Sequence, residues 1–491
     1  MPNPNLPFLF TDEQRYDTMA AYGNRRIQTP NLNRLAEQSV VFDRAYVTQP
    51  VCTPSRSSIL TGLWPHTNGC VANNIPLPAA CPCLPEMLRD DHTTAYHGKW
   101  HLGDEIFRQH GFDEWISIED MYVPYYSAGR DRAARSDYHH FLVENGFEPG
   151  EGNLFRRGVT ARYPEAFSKP AFLAREASRF IRENQERPFC LFVNFLEPHM
   201  PFFGPRDDQH DPAKVTLPAN FDSPPAEDQP LKTRAFARGY VERGHSGLPL
   251  RTEADWRRMI ANYWGLCSLV DTHVGRILET LEDCRLADNT LVVYTSDHGD
   301  MMGSHRLLAK CTMFEEAVRV PLLVRLPGQA TSRRVRGPVS QIDLVPTLLD
   351  LMGQPIPDHL QGRSLRPSVE ARTEPEHDVF IEWNGPNSGI VGESKGSVRV
   401  PDAMKDEVSE ERLRASVTDP VRTVVTQDGW KYNRSTIARP EPSRGGEDEL
   451  YNLTADPGET ANLARHPEQA GRIAELRGRI RSWQEETGDS V

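Results

Sequence analysis

No stretch of the 491-residue chain stays apolar for the roughly 18 residues that a membrane-spanning helix requires. The first residues, Met1-Pro2-Asn3-Pro4-Asn5, lack a basic segment, and the apolar run Leu6-Pro7-Phe8-Leu9-Phe10 is too short for a secretory leader. The expectation is a soluble, cytoplasmic protein with no membrane partner. Positive charge is in deficit: 56 Lys and Arg face 69 Asp and Glu, a formal net charge of −13. That excludes a general nucleic-acid binder, which needs a basic footprint. Cysteine is scarce. Eight residues fall far below the density of a disulfide scaffold, and a cytosolic setting keeps them reduced. Glycine (34) is outnumbered by proline (40), which excludes a collagen-like pattern and predicts ordered loops; no internal repeat is visible. The chain does have a hydrophobic fraction of 38% with 9% aromatics, enough for a sizeable core. Its length suits two to four domains, or one large α/β domain with an appendage.

Three short apolar runs each end in polar or acidic residues. Leu6 to Phe10 leads into Thr11-Asp12-Glu13-Gln14, Phe189-Cys190-Leu191-Phe192-Val193-Asn194-Phe195 into Glu197-Pro198-His199, and Thr290-Leu291-Val292-Val293-Tyr294 into Ser296-Asp297-His298-Gly299-Asp300. Continuous runs of this length read as strands buried on both faces of a parallel sheet. Ile260, Tyr263, Cys267, Val270, Val274, Ile277 and Leu281 recur at spacings of three and four, which predicts one long amphipathic helix before the third strand. Shorter helices are expected over 29–39 and 340–352. Alternating strands and helices give an α/β sheet, whose ligands gather at the carboxyl ends of the strands. Two polar segments, 120–163 and 205–249, read as surface excursions over that edge, where a ligand would be selected. Beyond residue 375 the pattern changes to short strands (Val379-Phe380-Ile381-Glu382-Trp383, Val421-Arg422-Thr423-Val424-Val425, Trp430-Lys431-Tyr432). A final helix follows, faced by Ile473, Leu476, Ile480 and Trp483. The expected division is a main domain over 1–375 and a smaller α+β domain over 376–491.

Asp12, Glu13, Asp297 and His298 place three carboxylates and one imidazole at two of these strand ends. An oxygen-rich set suits a hard divalent cation, and the imidazole also admits manganese or zinc. Acids at strand ends equally serve as helix caps, and spacing alone does not decide between the two. Cys190 and Cys267 lie in apolar stretches and read as core. Cys81-Pro82-Cys83 has the wrong spacing for a zinc knuckle or a redox pair. Cys52 differs: a thiol ahead of a helix start, with Arg56 four residues on, would have a lowered pKa and act as a nucleophile. A lone Cys near an Arg is more often structural.

The full string Cys52-Thr53-Pro54-Ser55-Arg56, followed by Ser57-Ser58-Ile59-Leu60-Thr61-Gly62, resembles the signature of the type I sulfatases. In that family the Cys is oxidised to formylglycine. Tyr96-His97-Gly98-Lys99-Trp100-His101-Leu102-Gly103 is similar to the family's second signature. Glu197-Pro198-His199-Met200-Pro201-Phe202 is similar to its active-site His segment. Ser296 to Asp300 together with Lys310 resembles its late metal-ligand strand and sulfate-binding Lys. Glu449-Leu450-Tyr451-Asn452-Leu453, with Asp456-Pro457-Gly458-Glu459, resembles its C-terminal subdomain. The resemblance covers nearly the whole chain apart from the two polar excursions.

The resemblance implies a large alkaline phosphatase-like sheet flanked by helices, and a sulfatase acting on an aryl, alkyl or sugar sulfate. Its implied metal set is Asp12, Glu13, residue 52 as formylglycine, Asp297 and His298. The expected ion is Ca2+, with Mn2+ or Zn2+ as the alternative. Arg56 would hold the formylglycine hydrate and the charge on the metal side, and Lys99 and Lys310 would clamp sulfate oxygens. His199 would protonate the leaving oxygen, and His101 would orient the formylglycine. The implied partners are a formylglycine-generating maturation enzyme and further copies of the chain. Two departures stand out: Asp12-Glu13 replaces a pair of Asp, and His298 replaces the usual Asn. The second is similar to the phosphonate monoester hydrolases, so phosphonate monoester or phosphodiester hydrolysis with the same nucleophile is the alternative activity. Those enzymes generally lack the Gly-Lys-Trp-His segment that is intact here. A non-catalytic anion- or metal-binding protein with the same fold is a third reading, opposed by the intact string from Cys52 to Arg56.

Overall fold

The three apolar runs lie side by side in the computed structural model, which describes residues 3–89, 91–370, 373–385, 399–435 and 447–491. The described strands of the larger sheet are β1 (Leu6–Asp12), β2 (Val40–Tyr46), β3 (Thr93–Gly98), β4 (Glu114–Ser117), β5 (Phe189–Pro198), β6 (Val292–Ser296), β7 (Arg319–Val320), β8 (Leu322–Arg325) and β9 (Arg333–Ser340). Their order is β4-β3-β5-β1-β6-β8-β2-β7, with β9 added on β2. From β4 to β6 all neighbours are parallel. Strand β8 then pairs antiparallel with both β6 and β2. Strand β1 therefore sits between β5 and β6, with Phe8 opposite both Phe192 and Val293. That register brings the ends of β1, β5 and β6 to one edge.

Continuous apolar sequence is needed because both faces are covered. Phe8, Phe10, Phe192 and Val293 enter one core cluster, while Leu9, Leu191, Val193, Val292 and Tyr294 enter the other. The second face is roofed by α1 (Pro30–Glu37), α3 (Lys169–Glu183) and α5 (Glu253–Asp283). Helix α5 is the long helix expected from its spacing, opened by a capping box between Thr252 and Asp255. The first face carries α2 (Cys52–Thr61) and α6 (Leu344–Leu351).

The second polar excursion holds a 13-residue helix, α4 (Leu231–Arg243), that the sequence reading did not anticipate. Leu231, Ala235, Phe236 and Tyr240 form its buried side. Lys232, Arg234, Arg238 and Arg243 interrupt the apolar pattern along it and mask the period.

The smaller sheet is antiparallel, in the order β10 (Val379–Trp383), β11 (Val421–Val425), β12 (Trp430–Ser435) and β13 (Glu449–Asn452). Helix α7 (Glu410–Thr418) precedes β11, and α8 (Ala470–Thr487) packs Leu476 and Ile480 on Val424, Tyr432 and Leu450. Lys431 ties this sheet to the larger unit through an ion pair with Glu315 (3.2 Å) and pairs within the smaller unit with Glu459 (2.6 Å). The expected α/β class, a large helix-flanked sheet with a smaller sheet beside it, is what the chain adopts. Among the described residues, no helix is long and apolar enough to cross a membrane.

Candidate active site

Asp12 closes β1, and Asp297 and His298 follow directly on β6, so the β1–β6 register alone sets them together. Helix α2 delivers the fourth member. Cys52 is its first residue, and all ten residues of the helix are buried. The ligand atoms of Asp12, Cys52, Asp297 and His298 lie within 4.8 Å of one another. Cys52 Sγ is 3.2 Å from His298 Nε2 and 3.7 Å from Asp12 Oδ1. His298 Nδ1 lies 2.9 Å from the Gly299 carbonyl, so that nitrogen carries the proton and Nε2 offers its lone pair to the cluster. Burial holds the imidazole neutral, outweighing Asp297. Two carboxylates, one neutral imidazole and the residue at position 52 are a donor set that fits a divalent cation.

Arg56, one turn along α2 from Cys52, is completely buried and faces the carboxylates. It donates to Asp12 Oδ2 (2.8 Å), Asp297 Oδ2 (2.9 Å), the Lys99 carbonyl (2.7 Å) and Asn194 Oδ1 (2.7 Å). The bridged carboxylates keep their other oxygens for the cluster: Asp297 Oδ1 accepts from the backbone N–H of Glu13 (3.1 Å) and of His298 (2.8 Å). Asn194 is a partner the sequence reading passed over. Its signal was a single amide inside the apolar run of β5.

Glu13 points elsewhere. Its backbone takes a left-handed φ of 69°, and its carboxylate meets Lys310 (3.2 Å) and His199 (3.4 Å). It belongs to a second group with Asp12 and His199 and is not one of the four convergent donors. Burial pushes its carboxyl up to about 8 against the pull of Lys310. Lys310 Nζ also lies 3.2 Å from Cys52 Sγ, and Lys99 Nζ pairs with Asp12 Oδ2. Lys99 follows Gly98, where φ is +123° and an added Cβ would sit 2.0 Å from the Asn194 carbonyl oxygen. Only glycine fits that crossing of β3 over β5.

His101 is aimed by its main chain. Glu105 accepts from the backbone N–H of Trp100 (2.8 Å) and of His101 (2.6 Å). The imidazole Nε2 is 3.1 Å from Asn74 Oδ1, and its ring rests on Tyr122 at 4.6 Å. Asn74 and Tyr122 carried no sequence signal. Burial, then Lys99, hold His101 neutral; burial, then Lys310, do the same for His199, whose Nδ1 lies 2.9 Å from the Met200 carbonyl.

The Cys52 thiol does not have the lowered pKa expected from its place before Arg56. Burial and the adjacent Asp12 push it up, outweighing Lys310 and Lys99, because Arg56 is spent on the carboxylates. Cys52, Lys99, His101, His199 and Lys310 line the base of a cleft of about 1070 Å³. Its walls come from the two polar excursions, through Tyr122, Tyr125, Arg156 and Arg157 on one side and Tyr240, Arg243 and His245 on the other.

Such a floor, with Cys52 between a carboxylate–imidazole cluster and two ammonium groups, is suited to a tetrahedral oxyanion. A family model described as Sulfatase matches residues 4–354. The chain is 28% identical over 392 residues to the ulvan-active sulfatase of Formosa agariphila, covering 76% of this chain and 66% of that protein. It is 29% identical over 517 residues to the choline-sulfatase of Rhizobium meliloti, covering 99% and 88%. Among solved structures, the phosphonate monoester hydrolase of Silicibacter pomeroyi superposes with a TM-score of 0.77 at 24% identity, covering 99% of this chain and 96% of that one. At that identity the likeness is one of fold.

Proposed function

Since the chain belongs to the sulfatase family, enzymes that hydrolyse sulfuric esters, we propose that it cleaves sulfate monoesters at a formylglycine made from Cys52. The observation that carries this reading is the position of Cys52 Sγ, within 3.2 Å of both His298 Nε2 and Lys310 Nζ at the base of the cleft. A formylglycine there supplies, as its hydrate, one hydroxyl to attack sulfur and a second whose deprotonation releases sulfate. Asp12, Asp297, His298 and residue 52 would hold the divalent cation, Ca2+ in this reading, which supplies acidity and charge neutralisation. Glu13 lies outside that set.

The chain's own groups do the rest. Arg56 fixes the two carboxylates in one orientation and is a positioning residue. Lys99 and Lys310 hold the sulfate oxygens from two sides. His199, neutral in the free protein, gains a proton more readily once an anion sits beside it, and then protonates the leaving oxygen. His101 orients residue 52 through the contact between its own carbonyl and the Thr53 hydroxyl (2.7 Å). The reading includes a maturation enzyme that converts Cys52 in the cytoplasm, and a homo-oligomeric working form.

A second reading, phosphonate monoester hydrolysis, is favoured by one observation: an imidazole, His298, sits among the four donors. Manganese or zinc would then be the ion. One experiment separates the two. Protein co-expressed with a formylglycine-generating enzyme should lose about 18 Da at Cys52 relative to the thiol form. It should turn over an aryl sulfate with a higher kcat/KM than the matching aryl phosphonate monoester. A preference for the phosphonate by several decades sinks the sulfatase reading in favour of the second.

A further inference from the structure

The charge of the cleft exceeds what one sulfate requires. Among its described lining residues are six Lys or Arg and no Asp or Glu, in a protein of net charge −13. Lys99 and Lys310 are engaged at the floor. Arg157 is engaged in the wall, donating to Glu119 (2.6 Å) and to the Tyr122 hydroxyl (3.0 Å). Arg156 and Arg243 are exposed, and neither side chain has a hydrogen bond or ion pair with any described residue. Arg399 adds a third exposed guanidinium, which pairs with the exposed Asp402 at 3.8 Å.

These arginines come from three separate segments: the first excursion, the end of α4, and the stretch before Asp402. Exposed guanidiniums on facing sides of one cleft, with no carboxylate among its described lining, give it a positive potential that favours entry of an anion. A neutral leaving group makes no use of that potential. A cationic one, such as a quaternary ammonium, is repelled by it, and the described wall has no carboxylate to receive it. Tyr122, Tyr125 and Tyr240 line the same cleft and offer it flat aromatic surfaces.

We propose that the outer wall is a second anion subsite, in which Arg156 and Arg243, with Arg399 at the rim, receive a negative group carried on the leaving-group side of the ester. The preferred substrates are then esters of anionic alcohols or phenols, the second charge being a carboxylate or another sulfate. This rests on the sulfatase reading for the first sulfate, but the wall can be tested without turnover.

The test is equilibrium binding by calorimetry to the Cys52→Ala protein, which cannot consume its ligand. The probes are 4-carboxyphenyl sulfate and 1,4-phenylene disulfate, with their biphenyl-length counterparts. Each is compared with a neutral-ended reference, the methyl ester of the carboxyphenyl (or carboxybiphenyl) sulfate. At least one dianion should bind about tenfold tighter than its reference, and which of the two prevails identifies the second group. The preference should fall to about twofold or less in Arg156→Ala/Arg243→Ala, and should shrink as salt is raised from about 0.05 to 0.5 M. Equal binding of dianions and references, no binding of either, or an undiminished preference in the double variant overturns the subsite. Failure of the sulfatase reading shows elsewhere, as absence of sulfate release by converted wild-type protein.

Discussion

Arg56 and Cys52 share one turn of α2, yet the guanidinium does not bring the buried thiol below its ordinary range. It donates to Asp12 and Asp297 instead, and the buried thiol stays protonated. An unmodified Cys52 is therefore a poor nucleophile at neutral pH. In the proposed reading the residue matters for what it becomes, not for its sulfur. Cys52→Ala should accordingly lower aryl sulfate turnover by at least about three orders of magnitude while moving the melting temperature by only about 2 °C. Single-turnover kinetics and calorimetry on the same preparation check both halves. Residual activity near wild type would contradict the assignment. Glu13 teaches the opposite lesson at the same scale. Its neighbours in sequence placed it with the metal ligands, but a positive φ swings its carboxylate to Lys310 and His199. Residue type was legible there; direction was not.

At the scale of elements, strand ends set the chemistry. The β1, β5 and β6 runs were legible because strands buried on both faces cannot hide their composition, and their polar ends marked the edge that became the site. Helix α5 was legible from its period, whereas α4 was obscured by its basic residues. The cleft walls were legible only as polar excursions. Which of their side chains face inward depends on tertiary placement that no local period encodes. Gly98 joins both kinds of information, since its motif was visible but its reason is the approach of β3 to the Asn194 carbonyl. Gly98→Ala should cost about 2–4 kcal/mol in chemical denaturation, because the new methyl forces two paired strands apart at a strained φ. It should also impair turnover by displacing Lys99. A variant as stable as wild type would show that the crossing relaxes cheaply.

At the scale of the whole molecule, the smaller sheet is secured by a buried ion pair between β11 and the residues after α8. Arg422 donates to both oxygens of Asp489, at 2.6 and 2.8 Å, with both side chains withdrawn from solvent. Burial pushes the Asp489 carboxyl up, but Arg422 outweighs it and holds the group below the usual carboxylate range. The pair's contribution is complete above the ordinary Asp pKa near 3.9 and is lost as pH falls through the lower folded-state value. Asp489→Ala, which strands Arg422, should destabilise the protein by about 3–5 kcal/mol at pH 7, with the gap to wild type narrowing below about pH 4. Denaturant midpoints at several pH values measure it, and a gap that does not change with pH would count against the pair. The enclosure of α2 has a different kind of consequence. All ten of its residues are buried and Cys52 meets the cleft only at its base, so a modifying enzyme acting on the finished protein would have to reach it through that cleft. Under the proposed formylglycine reading, conversion is easiest before α2 is enclosed, so the active fraction of a preparation would record how conversion and folding compete in time.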